Sequence, residues 1–241
     1  MSVAVPSIHP HAAEAAKWLT ARIREAFAEE LHAVAVYGPA TTATYDPRYH
    51  RVHTLIVTAD RDVDRLLTLA GSSKEATKRH LAPPLVATPD AMDSSRDVFP
   101  LEWLDIEQFH VVTFGELDWS AHPLRPSDLR LQCERDLRSL DLQLQRGVLA
   151  SGGRPKHVDR LEREAADTLV RVLRGIVFLG GDAERRLPGE LLDRTESTTG
   201  MNLPGCRQAV AEDGRHDVDT VRQMLGEIET LGRYVDGLDV S

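Results

Sequence analysis

Apolar residues recur at steps of three and four from Ala12 through Ala16, Leu19, Ile23 and Phe27 to Leu31, and this spacing predicts an amphipathic helix after Pro10. The period then shortens. LHAVAVYG and, after a polar, turn-rich stretch, VHTLIVTA (Val52 to Ala59) are β-branched runs that predict two strands joined by a loop. Residues 61–80 return to the helical period, with Gly71-Ser72-Ser73-Lys74 as a linker between helical stretches; PPLVATP reads as a short strand, and Phe99 to Gly115 as one or two more.

From Pro126 no strand-like run appears. Leu129, Cys133, Leu137, Leu140, Leu144 and Val148 trace one face of a long helix, for which Ser127 is the expected N-cap. A second helix, from about His157 to Leu179, is apolar around much of its circumference, which predicts a central, buried position. Shorter helices are expected near Pro188 and Pro204, and a last one carries Val221, Leu225, Ile228, Leu231 and Val235. The fold class is therefore α+β: residues 1–120 form a small mixed-sheet domain with flanking helices, and residues 126–241 an all-α bundle.

With 241 residues the chain can bury a sizeable core without disulfides or a structural metal. Its net charge of −9, with acids outnumbering bases in both halves, excludes a generic polycation that grips nucleic acid or anionic membrane through bulk charge. Cys133 and Cys206 lie far apart with no metal-ligand spacing, so each is expected as a free thiol. The start has no basic-then-apolar leader pattern and no long apolar run occurs, so the expected compartment is the cytoplasm, with no membrane attachment. Phosphate-loop, dinucleotide, nucleophile-elbow and zinc-helix motifs are absent from the sequence.

The candidate chemistry lies in VAVYGPATTATYDPRYHRVHTLIV, residues 34–57. This segment resembles the signature of the nucleotidyltransferase superfamily that includes the kanamycin and streptomycin adenylyltransferases and the minimal nucleotidyltransferases. In that pattern a strand ends in Gly-Ser or Gly-Gly, about ten residues pass, and a second strand opens with an acidic pair. Val36, Tyr37 and Gly38 match the first strand end; Pro39 stands where the Ser or Gly would be, and Arg51, Val52 and His53 stand where the acidic pair would be. Further on, residues 81–116, with Phe99-Pro100-Leu101-Glu102-Trp103-Leu104-Asp105-Ile106, are similar to a bacterial branch of the same proteins. By that resemblance Glu102, with Asp105 second, is the third carboxylate, the base on a strand beside the acidic pair.

The chemistry behind the pattern explains what this chain has lost. Transfer from a nucleoside triphosphate needs Mg²⁺ held by carboxylates two residues apart, which point the same way from a strand. Pro39 has no N–H to offer a phosphate, Arg51 repels a divalent cation and His53 is a poor Mg²⁺ ligand. Three readings follow. The first is a catalytically degenerate, nucleotidyltransferase-like protein that uses the cleft, through Gly38, Pro39, Arg51 and His53, for binding or regulation, without a resident metal. In the second, Glu102, Asp105 or Asp46 replaces the lost pair in an active enzyme with Mg²⁺ and nucleoside triphosphate. The third is a protein-interaction module using the apolar faces of the second and last helices of the bundle. The resemblance also predicts that Arg51 stands in for the cation and pairs with Glu102, with His53 alongside.

Overall fold

The computed structural model describes residues 7–211 and 217–240. Helix α1 (Pro10–Phe27) buries Ala12, Ala16, Leu19, Ile23 and Phe27, the stripe read from the sequence. It ends sooner than that stripe implied. Ala28 takes a positive φ of 47°, a 3₁₀ turn (Ala28–Glu30) follows, and Leu31 opens a strand instead of closing the helix.

Four strands form one mixed sheet in the order β3-β2-β1-β4. Strand β1 (Leu31–Tyr37) runs antiparallel to β2 (His53–Thr58) on one side and to β4 (His110–Gly115) on the other. The short β3 (Leu85–Ala87) runs parallel to β2. Val34, Val36 and Ile56 point to the face covered by α1, while Ala33, Ala35, Leu55 and Val57 point to the opposite face and are also buried. A sheet covered on both faces explains why its central strands read as near-continuous apolar runs. Helices α2 (Val63–Ala70) and α3 (Ser73–Lys78) divide at Gly71-Ser72, so Ser73 and Lys74, expected in the linker, open α3 instead, and α4 (Pro89–Ser94) follows β3.

Phe99 to Gly115 departs from the expected strands. Its first part is helix α5 (Pro100–Gln108), and only the tail HVVTFG becomes β4. The composition accounts for this: Leu, Glu, Trp, Asp and Gln dominate after a proline suited to a first helical turn, and β-branched residues cluster only in the tail.

The chain divides into two compact units, one holding the residues up to Arg96 together with Asp105–Pro123, the other Asp97–Leu104 together with the chain from Leu124. The second unit contains α6 (Pro126–Ser151), α7 (Pro155–Leu179), α8 (Pro188–Thr199), α9 (Pro204–Val210) and α10 (Val218–Asp236). Its core joins Leu137, Leu140 and Leu144 of α6 to Leu169, Leu173 and Ile176 of α7 and to Met224, Ile228 and Leu231 of α10, with both cysteines buried as free thiols. The apolar faces of α7 and α10 are thus spent internally, which corrects the expectation that they present an interface. Ser127 is not the cap of α6. Pro126 occupies the first turn and Arg125 the cap position, without a side-chain hydrogen bond. At Gly175 the backbone of α7 comes so close to its neighbours that an added methyl would lie 2.5 Å from the Cys133 Sγ and 2.6 Å from a Leu101 methyl.

Two leucines on opposite faces of α6 test this packing. Leu140→Ala, at a fully buried site, is expected to cost about 2–5 kcal/mol. Leu142→Ala, on the exposed face, should stay within about 0.5 kcal/mol of the parent. Equal losses in denaturant titrations would show that the buried face has been misassigned.

Candidate functional site

The register of β1 on β2 sets Tyr37 opposite His53, and their rings lie 5.6 Å apart. Arg51 precedes β2 by two residues and so shares the strand face of His53. Its guanidinium reaches the Leu81 carbonyl at 3.4 Å, next to the parallel bridge of Val52 with Leu81. Burial holds the His53 imidazole below the usual histidine pKa, and the charges of Arg51 and His50 push in the same direction. The end of the sheet is therefore a basic pole.

The turn after β1 closes on itself. Gly38 has φ 73°, a conformation that favours glycine, and its N–H donates to the Phe109 carbonyl at 2.7 Å. Pro39 has no N–H. The hydroxyls of Thr41 and Thr42 donate to the Gly38 and Pro39 carbonyls at 2.9 and 2.8 Å. A phosphate arriving here would find the glycine donor engaged and the next one missing.

None of the residues of β1, β2, β3 and β4 is acidic. The third carboxylate was expected on a strand, yet Glu102 stands in the first turn of helix α5, where Oε2 accepts from Gln132 Nε2 at 2.8 Å and Oε1 from Arg171 Nη1 at 3.3 Å. Asp105 lies one turn further along the same helix. Arg51 and Glu102 each find partners within their own unit. Asp46 is likewise committed: its carboxylate accepts from Arg48 Nε at 3.0 Å and Nη2 at 2.6 Å, which lowers its pKa to about 2. Strand β3, which does lie beside β2, carries Leu85, Val86 and Ala87. Among the described residues, no three His, Cys, Asp or Glu side chains gather as a metal donor set. The residues at the basic pole do not fit a Mg²⁺ ion.

Gln132 was missed in the sequence although a signal was available. It falls on the buried arc of α6 beside Leu129 and Cys133, and it is only 6% exposed. Its Oε1 accepts from Leu101 N at 2.8 Å while its Nε2 donates to Glu102, so one side chain fixes the start of α5. The neighbouring Asp136 has a raised pKa, chiefly from burial and then from the Glu102 charge, which Arg171 and Arg135 partly offset. In the sheet unit, Trp119 is an edge-packing residue: its Nε1 donates to His110 Nε2 at 3.1 Å, and the buried Arg96, paired with Glu107 at 2.8 Å, lies 5.7 Å from the ring centre.

Comparison with known proteins adds the fold. The structure matches a spectinomycin adenyltransferase, AAD(9), from Enterococcus faecialis, solved with ATP and spectinomycin, at a TM-score of 0.52 over 93% of this chain and 97% of that one. The chain has a nucleotidyltransferase-like fold. Sequence identity to that enzyme is 9%. No family model matches the sequence, and neither does any curated protein. The nucleotidyltransferase-like fold thus occurs here with a sheet that offers no carboxylate at all. No helix among the described residues is long and apolar enough to cross a membrane.

The depressed pKa of His53 has a measurable consequence. Because its folded pKa lies below the unfolded value of about 6.5, the neutral imidazole stabilises the fold above that pH, and this contribution is lost as pH falls through the folded value. His53→Gln should make the melting temperature fall less steeply below about pH 6.5. Parallel melting curves for parent and variant would count against the half-buried, cation-flanked placement of His53.

Proposed function

We propose that this chain is a catalytically degenerate nucleotidyltransferase-like protein that binds a phosphate-bearing ligand without metal and serves a regulatory role. The absence of any acidic residue from the four strands, with Arg51 and His53 where a metal-binding pair belongs, carries this reading. A guanidinium offers the geometry that phosphate oxygens accept, and it supplies positive charge that an active relative would obtain from Mg²⁺. The loss is too large for residual catalysis to be the main activity. Removing one preorganised electrostatic group costs roughly 10²–10³ in rate, and here both carboxylates are missing and the phosphate turn is occupied internally. Asp46, Glu102 and Asp105 do not rebuild the metal site in this reading, since Asp46 and Glu102 are held by arginines and Glu102 and Asp105 are helical. The buried thiols suit a reducing compartment such as the cytoplasm.

Because ATP occupies the AAD(9) structure, ATP is the first ligand to titrate. Calorimetry should give the same affinity in EDTA as with Mg²⁺ or Mn²⁺, no release of pyrophosphate, and a loss of about 1.5–3 kcal/mol with Arg51→Ala, the range for hydrogen bonds to charged groups. Binding that requires the metal, pyrophosphate release abolished by Glu102→Ala, or no binding of any nucleotide would each contradict the proposal. Binding an anion must also raise the His53 pKa, so affinity should grow as pH falls from 7.5 towards about 6 and take up protons. His53→Gln should remove most of that dependence.

A further inference from the structure

The exposed side of α6 carries a pattern that the core does not explain. Leu131, Leu142 and Leu149 are 50%, 58% and 82% exposed, and at 3.6 residues per turn they fall within about 20° of one line on the helix. The opposite side buries Leu129, Leu137, Leu140 and Leu144. The line runs for about 27 Å, five turns. Arg135, Arg138 and Arg146 border it and are exposed. Arg138 and Arg146 form no ion pair among the described residues. Of the acids nearest the line, Glu134 is engaged by Arg130 at 3.4 Å and Asp141 by Gln145 at 2.8 Å, while Asp128, at the N-terminal end, accepts from the Ser127 hydroxyl at 3.5 Å.

We infer that this face of α6 is a docking surface for an amphipathic helix whose apolar stripe is flanked by carboxylates. A lone exposed leucine is ordinary, but three in register along one helix are what a partner helix reads through its own apolar positions. The unengaged guanidiniums beside them select Asp and Glu on the partner, and they do so on a chain whose net charge of −9 would otherwise repel an acidic segment. A second copy of this chain fits less well. Laid antiparallel so that Leu131 meets Leu149, the two α6 helices bring Arg135 of one beside Arg146 of the other, like charge against like.

The test uses the full chain and two synthetic amphipathic helices with the same leucine stripe, one flanked by glutamates and the other by lysines, followed by fluorescence anisotropy. The glutamate peptide should bind. Leu142→Glu, and separately the double change Arg138→Glu with Arg146→Glu, should each weaken it by at least about tenfold, a difference of 1.4 kcal/mol, and the double variant should bind the lysine peptide instead. Leu149→Ser, at the most exposed of the three leucines, is the second apolar probe and should leave the melting temperature unchanged while also weakening binding. Failure of the glutamate peptide to bind, equal binding of both peptides, or indifference to all these substitutions overturns the inference. So does a dimer in sedimentation that Leu142→Glu dissolves, or binding to anionic vesicles lost in the same variant, since either assigns the face to a different occupant.

Discussion

The antiparallel register that puts Tyr37 of β1 opposite His53 of β2 decides which side chains reach the end of the sheet. Side chains alternate along a strand, so a slip of one residue would send Arg51 and His53 to the α1-covered face and bring Val52 and Thr54 to the other. The buried runs forbid such a slip, because Val34, Val36 and Ile56 are committed to the α1 side. On the other side of β1, the ladder with β4 sets Tyr37 opposite His110 and brings the Gly38 N–H to the Phe109 carbonyl. A basic end of the sheet and a self-satisfied turn are consequences of two ladders that share β1.

The charge balance around that ladder is unfavourable to a divalent cation. A divalent cation needs several hard oxygen ligands held in place, and the sheet supplies none. Asp46 is neutralised by Arg48 within its own loop, and Glu102 by Arg171 in the helical unit, where the Gln132 amide also donates to it. Such pairs need no metal to offset the cost of placing a carboxylate in partly buried surroundings. The chain has a nucleotidyltransferase-like fold, and the Arg51 guanidinium at the end of its sheet favours an anion over a cation.

Much of this was legible in the sequence. The stripe from Ala12 to Phe27, the two β-branched runs around Gly38, and the change to an all-helical second half all follow from hydrophobic period alone. The failures share a cause. Leu101-Glu102-Trp103-Leu104 fits a strand pattern and a helix pattern equally over four residues, and the resemblance tipped the reading towards a strand; the structure makes it helical, with Leu101 and Leu104 in the core of the bundle. Short apolar runs do not carry enough turns to separate the two periods. The clamp from Gln132 to Leu101 and Glu102 links positions some thirty residues apart in sequence, a distance over which periodicity says nothing.

The central claim is that the positive charge a metal would supply at the end of the sheet is supplied instead by the chain itself. Crystals of the full chain grown with a non-hydrolysable ATP analogue and Mn²⁺, with data collected at the manganese absorption edge, test it most directly. The account predicts phosphate density within hydrogen-bond reach of the Arg51 guanidinium and no anomalous peak beside it. A manganese peak bridging the triphosphate and a protein carboxylate would contradict it.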